Sequence, residues 1–398
     1  MGPMQGVRVV ELGIWVAAPA AGAILADWGA DVIKIEAPGG DPLRAASAAT
    51  LPPGAKTNPH FNTDNRGKRS VVLDLRTDDG RNSLLALLDS ADVFISNVRT
   101  AGLARLGLDP QTVLARNPRL IYTAITGYGL TGPKADVAGF DLGVFWAYGG
   151  VADLLTPTDA PPPIQRSAMG DHQTAMAAAA AISAALFHRE RTGEGQLVST
   201  SLLRAAAYHI SADLNAKLMI NQDPDRPDRR TAWNALWNNY ATSDGRRIWL
   251  INPASDAAWP PFARLVGRPD WLEDERFATQ ASRTTYSSEL IPQFDEIFAA
   301  RTFAEWTELL ESEPRVLWAP VNSVDDLLSD PQTDAAGAFV EVQELSGTVR
   351  QVANPADFHG TVCPPPRRTP EAGEHTHAVL GELMTDATTW PEPSMANS

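Results

Sequence analysis

The chain has 398 residues, of which 44% are hydrophobic and 20% are charged, and its formal net charge is −15. This composition indicates a folded protein long enough for two domains and argues against intrinsic disorder. The acidic balance also argues against nucleic acid as the main partner, because contacts to phosphates need a basic surface.

Other features argue against membrane, secreted and metal-dependent proteins. The sequence holds no apolar run of about 18 residues, the length that predicts a membrane span. The opening "MGPMQGVRVVELG" enters a strand too early for a signal peptide, so we expect a cytoplasmic protein. Cys363 is the only cysteine, which excludes a disulfide framework, and the histidines lack metal-ligand spacing. No metal site is therefore predicted.

The first elements alternate between strand and helix. "VRVVEL" (7–12) predicts a buried parallel strand, "AAGAILADWG" (20–29) a helix that ends at Gly29, and "ADVIKIE" (30–36) a second strand. Further strands are predicted for "SVVLDL", "DVFISN" and "RLIYTAIT", with a helix at "DDGRNSLLALLDS". The pattern predicts an α/β fold, with a Rossmann-like large domain built on an open, mostly parallel sheet.

A long helix is predicted from His172 to Arg189, and its alanine-rich sequence predicts burial on most faces. Asp171 stands at the start of this helix. By its local sequence alone, Asp171 is best interpreted as an N-cap, since aspartate is a preferred capping residue. A reactive carboxylate is the alternative: the helix N-terminus favours its ionised form, and Gly170 leaves the approach to it open.

The composition changes at 221–230, "NQDPDRPDRR", which predicts a linker. Residues 231–334 predict a smaller α+β domain, with a hairpin in "YATSDGRRIWLIN" and helices at "WPPFARLVG", "SSELIPQFDEIFAAR" and "FAEWTELLE". Residues 335–398 return to strands and a last helix. We therefore assign 1–220 and 335–398 to one discontinuous large domain.

Basic residues occur in two different settings. Arg66, Lys68 and Arg69 form a cluster for which a solvated surface with weak ion pairs is the simplest interpretation. Arg76 and Asn97 instead follow predicted strands, at the sheet edge where ligands of α/β proteins bind. An anion with several phosphates fits that edge. A dinucleotide does not, because "GIWVAAPAAG" lacks the required glycine spacing.

Nine segments, in order along nearly the whole chain, resemble family III CoA-transferases: "GVRVVELGIWVAAPAAGAILADWGADVIKIEAPGGDPLR", "NRGKRSVVLDL", "ADVFISNVRTAGLARLGL", "TAITGYGLTGP", "GDHQTAMAAAAAISAALFHRERTGEGQLV", "YATSDGRRIWL", "RFATQASR", "APVNSVDDLLSDPQ" and "GEHTHAVLGEL". The resemblance implies a large and a small domain, an interlocked homodimer and an active site between subunits. It also implies acyl-CoA and a small carboxylic acid as substrates, with no permanently bound cofactor.

The same resemblance implies that Asp171 is a covalent nucleophile that passes through aspartyl anhydride and aspartyl-CoA thioester intermediates. Racemases of the same fold have histidine where this chain has Phe140, and phenylalanine cannot transfer a proton. Transfer is therefore favoured over racemisation, and a structural role is favoured for His172 over that of a substitute base. A racemase, epimerase or dehydratase acting on acyl-CoA, and a non-catalytic CoA-binding protein, stay open as alternatives.

The resemblance places the contacts with CoA at Val16, Ala17, Leu73, Asp74, Leu75, Arg76, Asn97, Val98, Arg99, Arg105, Val137, Ala138, Gly139 and Phe140. Arg76 and Arg105 are expected to bind phosphates, because guanidinium groups match phosphate geometry. The candidates for an acyl pocket are the aromatic residues Trp146, Tyr148, Trp233 and Trp237, with core packing as the alternative for most of them. Oxalate-type members of the family close a glycine-rich loop of the small domain over the intermediate. This chain has "NPASDAAW" after the hairpin instead, so the resemblance does not imply oxalate as the substrate.

Overall fold

The computed structural model describes residues 2–48, 51–52, 58–225 and 228–387. The chain divides into two compact units, a large unit of Met1–Asp153, Ile164–Pro224 and Asp334–Ser398 and a small unit of Leu154–Pro163 and Asp225–Thr333. The predicted boundaries of the small domain, 231–334, do not include Leu154–Pro163. Residues 226–227 of the predicted linker and 388–398 of the predicted large domain lie outside the described residues.

The large unit is built on a six-stranded sheet with the order β3-β2-β1-β4-β5-β6, in which every pairing is parallel. Its strands are β1 (Arg8–Leu12), β2 (Asp31–Glu36), β3 (Arg69–Val72), β4 (Val93–Ser96), β5 (Ile121–Thr126) and β6 (Gln196–Ser201). This confirms the predicted parallel α/β sheet. The edge strand β6 was not predicted, because its short sequence "QLVSTS" is mostly polar and only partly buried.

Helices cover both faces of the sheet. In chain order they are α1 (Ala17–Asp27), α2 (Pro42–Ala48), α3 (Pro59–Asn65), α4 (Asp78–Asp89), α5 (Thr100–Arg105), α6 (Pro110–Arg116), a π-helix (Leu142–Tyr148), α7 (Val151–Leu154), α8 (Met169–Thr192), α9 (Leu202–His209) and α10 (Ser211–Ile220). One face of the sheet packs on α1 and α8, and the other packs on α4, α5 and α6.

Helix α8 is longer than predicted and only one of its sides is buried. Its alanines pack against the alanines of α1, and the small side chains let the two helices approach closely. The outer side exposes Met176 and Phe187 by 42% and 61% of their surface. The prediction of burial on most faces is therefore wrong, because composition alone does not tell which side of an apolar helix has a neighbour.

Four buried charged side chains form a row of ion pairs at the carboxyl end of β1. We call Asp41, Lys34, Glu11 and Lys68 the charge chain. Lys34 Nζ lies 2.8 Å from Asp41 Oδ2 and 3.0 Å from Glu11 Oε1, and Lys68 Nζ lies 2.6 Å from Glu11 Oε2. All four side chains are fully buried. Burial acts to raise the pKa of Glu11, but the two ammonium groups outweigh it and lower that pKa.

The charge chain contradicts the interpretation of the basic cluster as a solvated surface. Lys68 is fully buried, and Arg66 is 3% exposed and lies 2.7 Å from Asp27. Arg69 lies 2.6 Å from Asp31 in the neighbouring strand. The sequence shows the cations next to each other, but their acidic partners come from elements that are distant along the chain.

The small unit combines a three-stranded antiparallel sheet with helices around an aromatic core. Its elements are β7 (Trp237–Ala241), β8 (Arg247–Ile251), α11 (Ser255–Leu265), α12 (Gln280–Thr285), α13 (Ser287–Phe298), α14 (Phe303–Glu311), β9 (Trp318–Pro320) and α15 (Val324–Ser329), with short 3-10 helices at Arg229–Thr231 and Pro269–Leu272. The predicted hairpin joins β7 and β8, and Gly245 at its turn has φ +81°.

The rest of the described chain contains α16 (Pro331–Ala335), the antiparallel pair β10 (Phe339–Glu344) and β11 (Gly347–Val352), and α17 (Thr376–Ala387). Val379 of α17 packs into the core that contains α4. In the described parts of the chain, no helix has both the length and the apolar character needed to cross a membrane.

We predict that Lys34→Met lowers the free energy of unfolding by about 3–5 kcal/mol, because it leaves two buried carboxylates without their shared cation. Urea unfolding of the full chain, followed by circular dichroism, measures the effect. Arg76→Met is the control: Arg76 is 84% exposed and, among the described residues, forms its ion pair with Asp74 alone, so the unfolding midpoint should stay close to that of wild type. Equal unfolding midpoints for the two variants would contradict the role given to the charge chain.

Candidate functional site

A cavity of about 330 Å³ lies at the carboxyl ends of β1, β4 and β5. The strand order reverses here, since β1 pairs with β2 on one side and with β4 on the other. Ligands of open α/β sheets bind at such a position. The lining residues are Ile14, Trp15, Val16, Ala17, Asn97, Val98, Arg99, Thr100, Ile125, Thr126, Gly127, Ala135, Val137, Ala138, Gly139, Phe140, Asp141, Asp171 and Leu202.

Asp171 reaches this cavity from the first turn of α8. The helix begins at Met169, and its N-cap is Ala168, which has φ +66° and makes no side-chain cap. The interpretation of Asp171 as the N-cap is therefore wrong. Within the described residues, no side chain or backbone group forms a hydrogen bond or ion pair with its carboxylate, so the capping role does not occupy it.

Asp141 provides the cap instead. Its side chain is 8% exposed and accepts hydrogen bonds from the N–H of Gly170, at 3.1 Å to Oδ2, and from Gln165 Nε2, at 2.8 Å. The carboxylate thus satisfies a free amide of α8 from outside the helix. Asp141 is not among the predicted site residues, although it directly follows Phe140.

Gly170 has a packing role. A Cβ at this position would overlap the ring of Phe145 and the carboxylate of Asp141. The interpretation that Gly170 opens the approach to Asp171 is therefore wrong. Glycine instead lets the start of α8 pack directly on the π-helix, and this packing fixes where Asp171 enters the cavity.

The carboxyl group of Asp171 holds its proton more tightly than an ordinary aspartate. Burial raises its pKa from 3.8 to about 7, and the nearby Asp141 carboxylate acts in the same direction. His172 opposes them by favouring the ionised form. The expected preference of the helix N-terminus for a carboxylate is therefore outweighed by burial at this site.

His172 does not share the cavity with Asp171. Its Nε2 lies 3.0 Å from Asp64 Oδ1, and this hydrogen bond raises the pKa of His172. The ring lines a separate groove of about 480 Å³ together with Asp64 and Arg66. This position supports the structural interpretation of His172, not that of a base facing the cavity.

Two side chains fix the loop between β1 and α1. Asn97 accepts from the N–H of Ile14 at 3.0 Å and donates to its carbonyl oxygen at 2.7 Å. Asp41 of the charge chain accepts from the N–H of Trp15 at 3.2 Å. Both polar atoms of the Asn97 amide are engaged by this loop, which shapes one wall of the cavity.

The structure brings most of the predicted site residues together. The cavity is lined by Val16, Ala17, Asn97, Val98, Arg99, Val137, Ala138, Gly139, Phe140 and Asp171. The remaining ones, Leu73, Asp74, Leu75, Arg76 and Arg105, do not line it, and their contact with CoA stays a prediction.

The aromatic residues predicted for an acyl pocket between subunits do not line this cavity, and that pocket stays a prediction. Trp146 is buried in the core beside α9, Tyr148 packs on Tyr128, and Trp233 and Trp237 belong to the small unit. None of the four lines this cavity. Trp15, which the sequence analysis did not select, does.

Comparisons with known proteins find matches along nearly the whole chain. The model of CoA-transferase family III matches residues 4–376. A cinnamoyl-CoA:phenyllactate CoA-transferase of Clostridium sporogenes is 32% identical, covering 95% of this chain and 93% of that protein. A succinate–glutarate CoA-transferase of Agrobacterium fabrum is 34% identical, covering 96% of each. The crystal structure of a CaiB/BaiF family protein from Brucella suis superposes with a TM-score of 0.84 at 32% identity, covering 96% of this chain and 99% of that one.

We predict that Asp171→Asn stabilises the protein increasingly as the pH rises. The pKa of Asp171 is raised to about 7 by folding, so wild type loses stability as the pH climbs from the unfolded value of 3.8 towards 7. The stability gained by the variant should grow by about 2–3 kcal/mol between pH 5 and pH 8. Thermal unfolding at both pH values measures this difference. Asp79→Asn, at an exposed first-turn aspartate of α4, is the control and should show no such trend.

Proposed function

The chain belongs to CoA-transferase family III, and we propose that it moves CoA from an acyl-CoA donor to a carboxylic acid acceptor through covalent intermediates on Asp171. One observation carries this proposal: a partly buried carboxylate, free of structural hydrogen bonds in the described chain, faces the cavity at the point where the strand order reverses.

The proposed reaction has four balanced steps. The Asp171 carboxylate attacks the thioester carbonyl of the donor, which gives a mixed anhydride and releases CoA thiolate. The thiolate attacks the aspartyl carbonyl of that anhydride, so the donor acid leaves and an aspartyl-CoA thioester forms. The acceptor carboxylate attacks this thioester and releases the thiolate again. The thiolate then attacks the acceptor carbonyl of the second anhydride, which yields the new acyl-CoA and regenerates Asp171.

The electrostatic setting suits a carboxylate nucleophile. With a pKa raised to about 7, Asp171 exchanges its proton near neutral pH, so the ionised form that attacks is accessible. Its ionised form is more basic than an ordinary aspartate, and nucleophilic strength rises with basicity. Burial also excludes water, which protects the anhydride from hydrolysis.

Arginine residues at and beside the cavity support the proposal that an anion binds there, although the protein as a whole is acidic. Arg99 lines the cavity, and Arg105 follows in α5; among the described residues, neither has a carboxylate within ion-pair distance. Arg76 is paired with Asp74, 2.7 Å away, and would have to leave it to bind a phosphate. We propose that Arg99 and Arg105 bind the phosphates of CoA, with the other predicted contacts around them.

Of the two named relatives, one acts, by its name, on a pair of aromatic acids and the other on a pair of dicarboxylic acids. Both names describe the transfer of CoA between two carboxylic acids.

A racemase, epimerase or dehydratase reaction is the alternative to CoA transfer. It needs a proton-transfer group opposite Asp171, and Phe140 occupies a wall of the same cavity. Deuterium exchange at the α-carbon of an acyl-CoA, without any acceptor acid, would favour that alternative.

We also propose an interlocked homodimer, with each active site between the large domain of one subunit and the small domain of the other. Helix α10 supports this proposal, because none of its residues is buried in the single chain. Its apolar residues Leu218, Met219 and Ile220 are each 70% or more exposed. Contiguous exposed apolar surface marks an interaction site. A second copy of the chain is the proposed partner.

We expect Asp171 to carry the covalent adduct. Incubation of wild type with an acyl-CoA, followed by hydroxylamine or borohydride, should modify the peptide that contains Asp171, as measured by mass spectrometry. Asp171→Ala should lose the adduct and at least about a thousandfold of the transfer rate. Asp79→Ala is the control and should keep both. Transfer at the wild-type rate by Asp171→Ala would disprove the proposed mechanism.

For the dimer, light scattering after size exclusion should give twice the mass of one chain for wild type. Leu218→Lys with Met219→Lys places two charges on the apolar side of α10 and should shift the mass to one chain. Leu345→Lys changes a leucine that is 73% exposed on the β10–β11 hairpin, and this control should stay dimeric. A wild-type monomer, or an unaffected double variant, would contradict the proposed interface.

A further inference from the structure

The cavity that contains Asp171 has one aromatic wall. Trp15 and Phe140 both line it, and their rings meet edge to face with centroids 5.7 Å apart and planes at 82°. Phe140 is 62% exposed, which leaves much of its ring uncovered. Such a pair offers flat apolar surface with a defined geometry, and ligand pockets commonly use surfaces of this kind.

The position of Trp15 is strained but firmly held. Its φ is +63°, in the left-handed region that residues other than glycine rarely adopt. Its N–H is bound by Asp41, whose carboxylate is fixed by the buried Lys34. Asn97 holds the preceding residue, Ile14, from the other side. Backbone strain that persists because its surroundings enforce it is concentrated at functional sites. Here it directs a large indole ring to the cavity.

The charges of the cavity disfavour an acyl group that carries its own carboxylate. Among the described residues, the charged ones that line it are the acidic Asp141 and Asp171 and the basic Arg99. Asp141 is engaged with α8, and Arg99 is assigned to a phosphate in the proposed function. Within the described part of the cavity, a second carboxylate on the acyl chain would therefore meet carboxylates without gaining a cation of its own.

We propose that this cavity selects aromatic or large apolar acyl groups over dicarboxylic ones, with Trp15 and Phe140 as the residues that determine the specificity. The inference deepens the proposed function and rests on it for the chemistry at Asp171. The binding preference rests on the aromatic wall and on the charges of the cavity, with Arg99 bound to a phosphate as in the proposed function. The acyl chain packs on the two rings while its thioester end lies towards Asp171.

Unreactive thioethers of CoA test this preference in wild-type protein without turnover. Calorimetry should show S-(3-phenylpropyl)-CoA binding at least about tenfold more tightly than S-(3-carboxypropyl)-CoA, the size expected when an apolar group enters an apolar pocket. Phe140→Ala should remove most of this ratio, and Phe140→Tyr should keep it. Circular dichroism verifies that both variants fold.

Phe358→Ala is the matched control. Phe358 meets Trp28 edge to face at 5.4 Å and 88°, and neither ring lines this cavity. The variant should leave the ratio unchanged. Equal binding of the two thioethers, or tighter binding of the carboxylate, would overturn the inference even if the Asp171 adduct forms. Loss of that adduct with the ratio preserved would instead refute only the proposed chemistry.

Discussion

The charge chain behind β1 is the interaction on which the arrangement of the site depends. Glu11 of β1 joins two ammonium groups, Lys34 from β2 and Lys68 from the segment just before β3, so two neighbouring strands and the approach to a third share one buried cluster. The ammonium groups also donate to the carbonyl oxygens of Gly13, at the start of the loop after β1, and of Pro19, in the first turn of α1. A buried ion that loses its partner is strongly destabilising, so the cluster tolerates few alternative loop positions.

The cavity is shaped by side chains that bind backbone. Asp41 holds Trp15, Asn97 holds Ile14, and Asp141 holds Gly170. Each of them satisfies an amide at a loop or a helix start, where regular secondary structure leaves the group unpaired. Asp171 is not among these supports. A single substitution in this set is therefore expected to displace a wall of the cavity without removing the carboxylate.

The sequence was sufficient for the parallel sheet, since β-branched runs such as "VRVVEL" alternate with helical segments, and for the β7–β8 hairpin, whose turn carries Asp-Gly. It was not sufficient where a residue's partner lies far along the chain. The sequence predicts a solvated Lys68 because its partner Glu11 is distant along the chain. It predicts a cap at Asp171 because nothing in the local sequence marks Asp141, thirty residues away, as the capping residue. The packing of Gly170 on Phe145 and the aromatic wall at Trp15 also arise only from tertiary contacts.

Asp141 and Asp171 line the same cavity, and the proposed mechanism gives them different tasks. A carboxylate that caps a helix accepts backbone N–H bonds, which stabilise its charge and weaken it as a nucleophile. Because Asp141 accepts the bond from Gly170, Asp171 is left without such stabilisation, and the negative charge of Asp141 raises its pKa further. His172, held by Asp64 on the far side of the helix start, limits that rise. The same cap that starts α8 thus makes the neighbouring carboxylate more basic, which is the property that the proposed attack on a thioester requires.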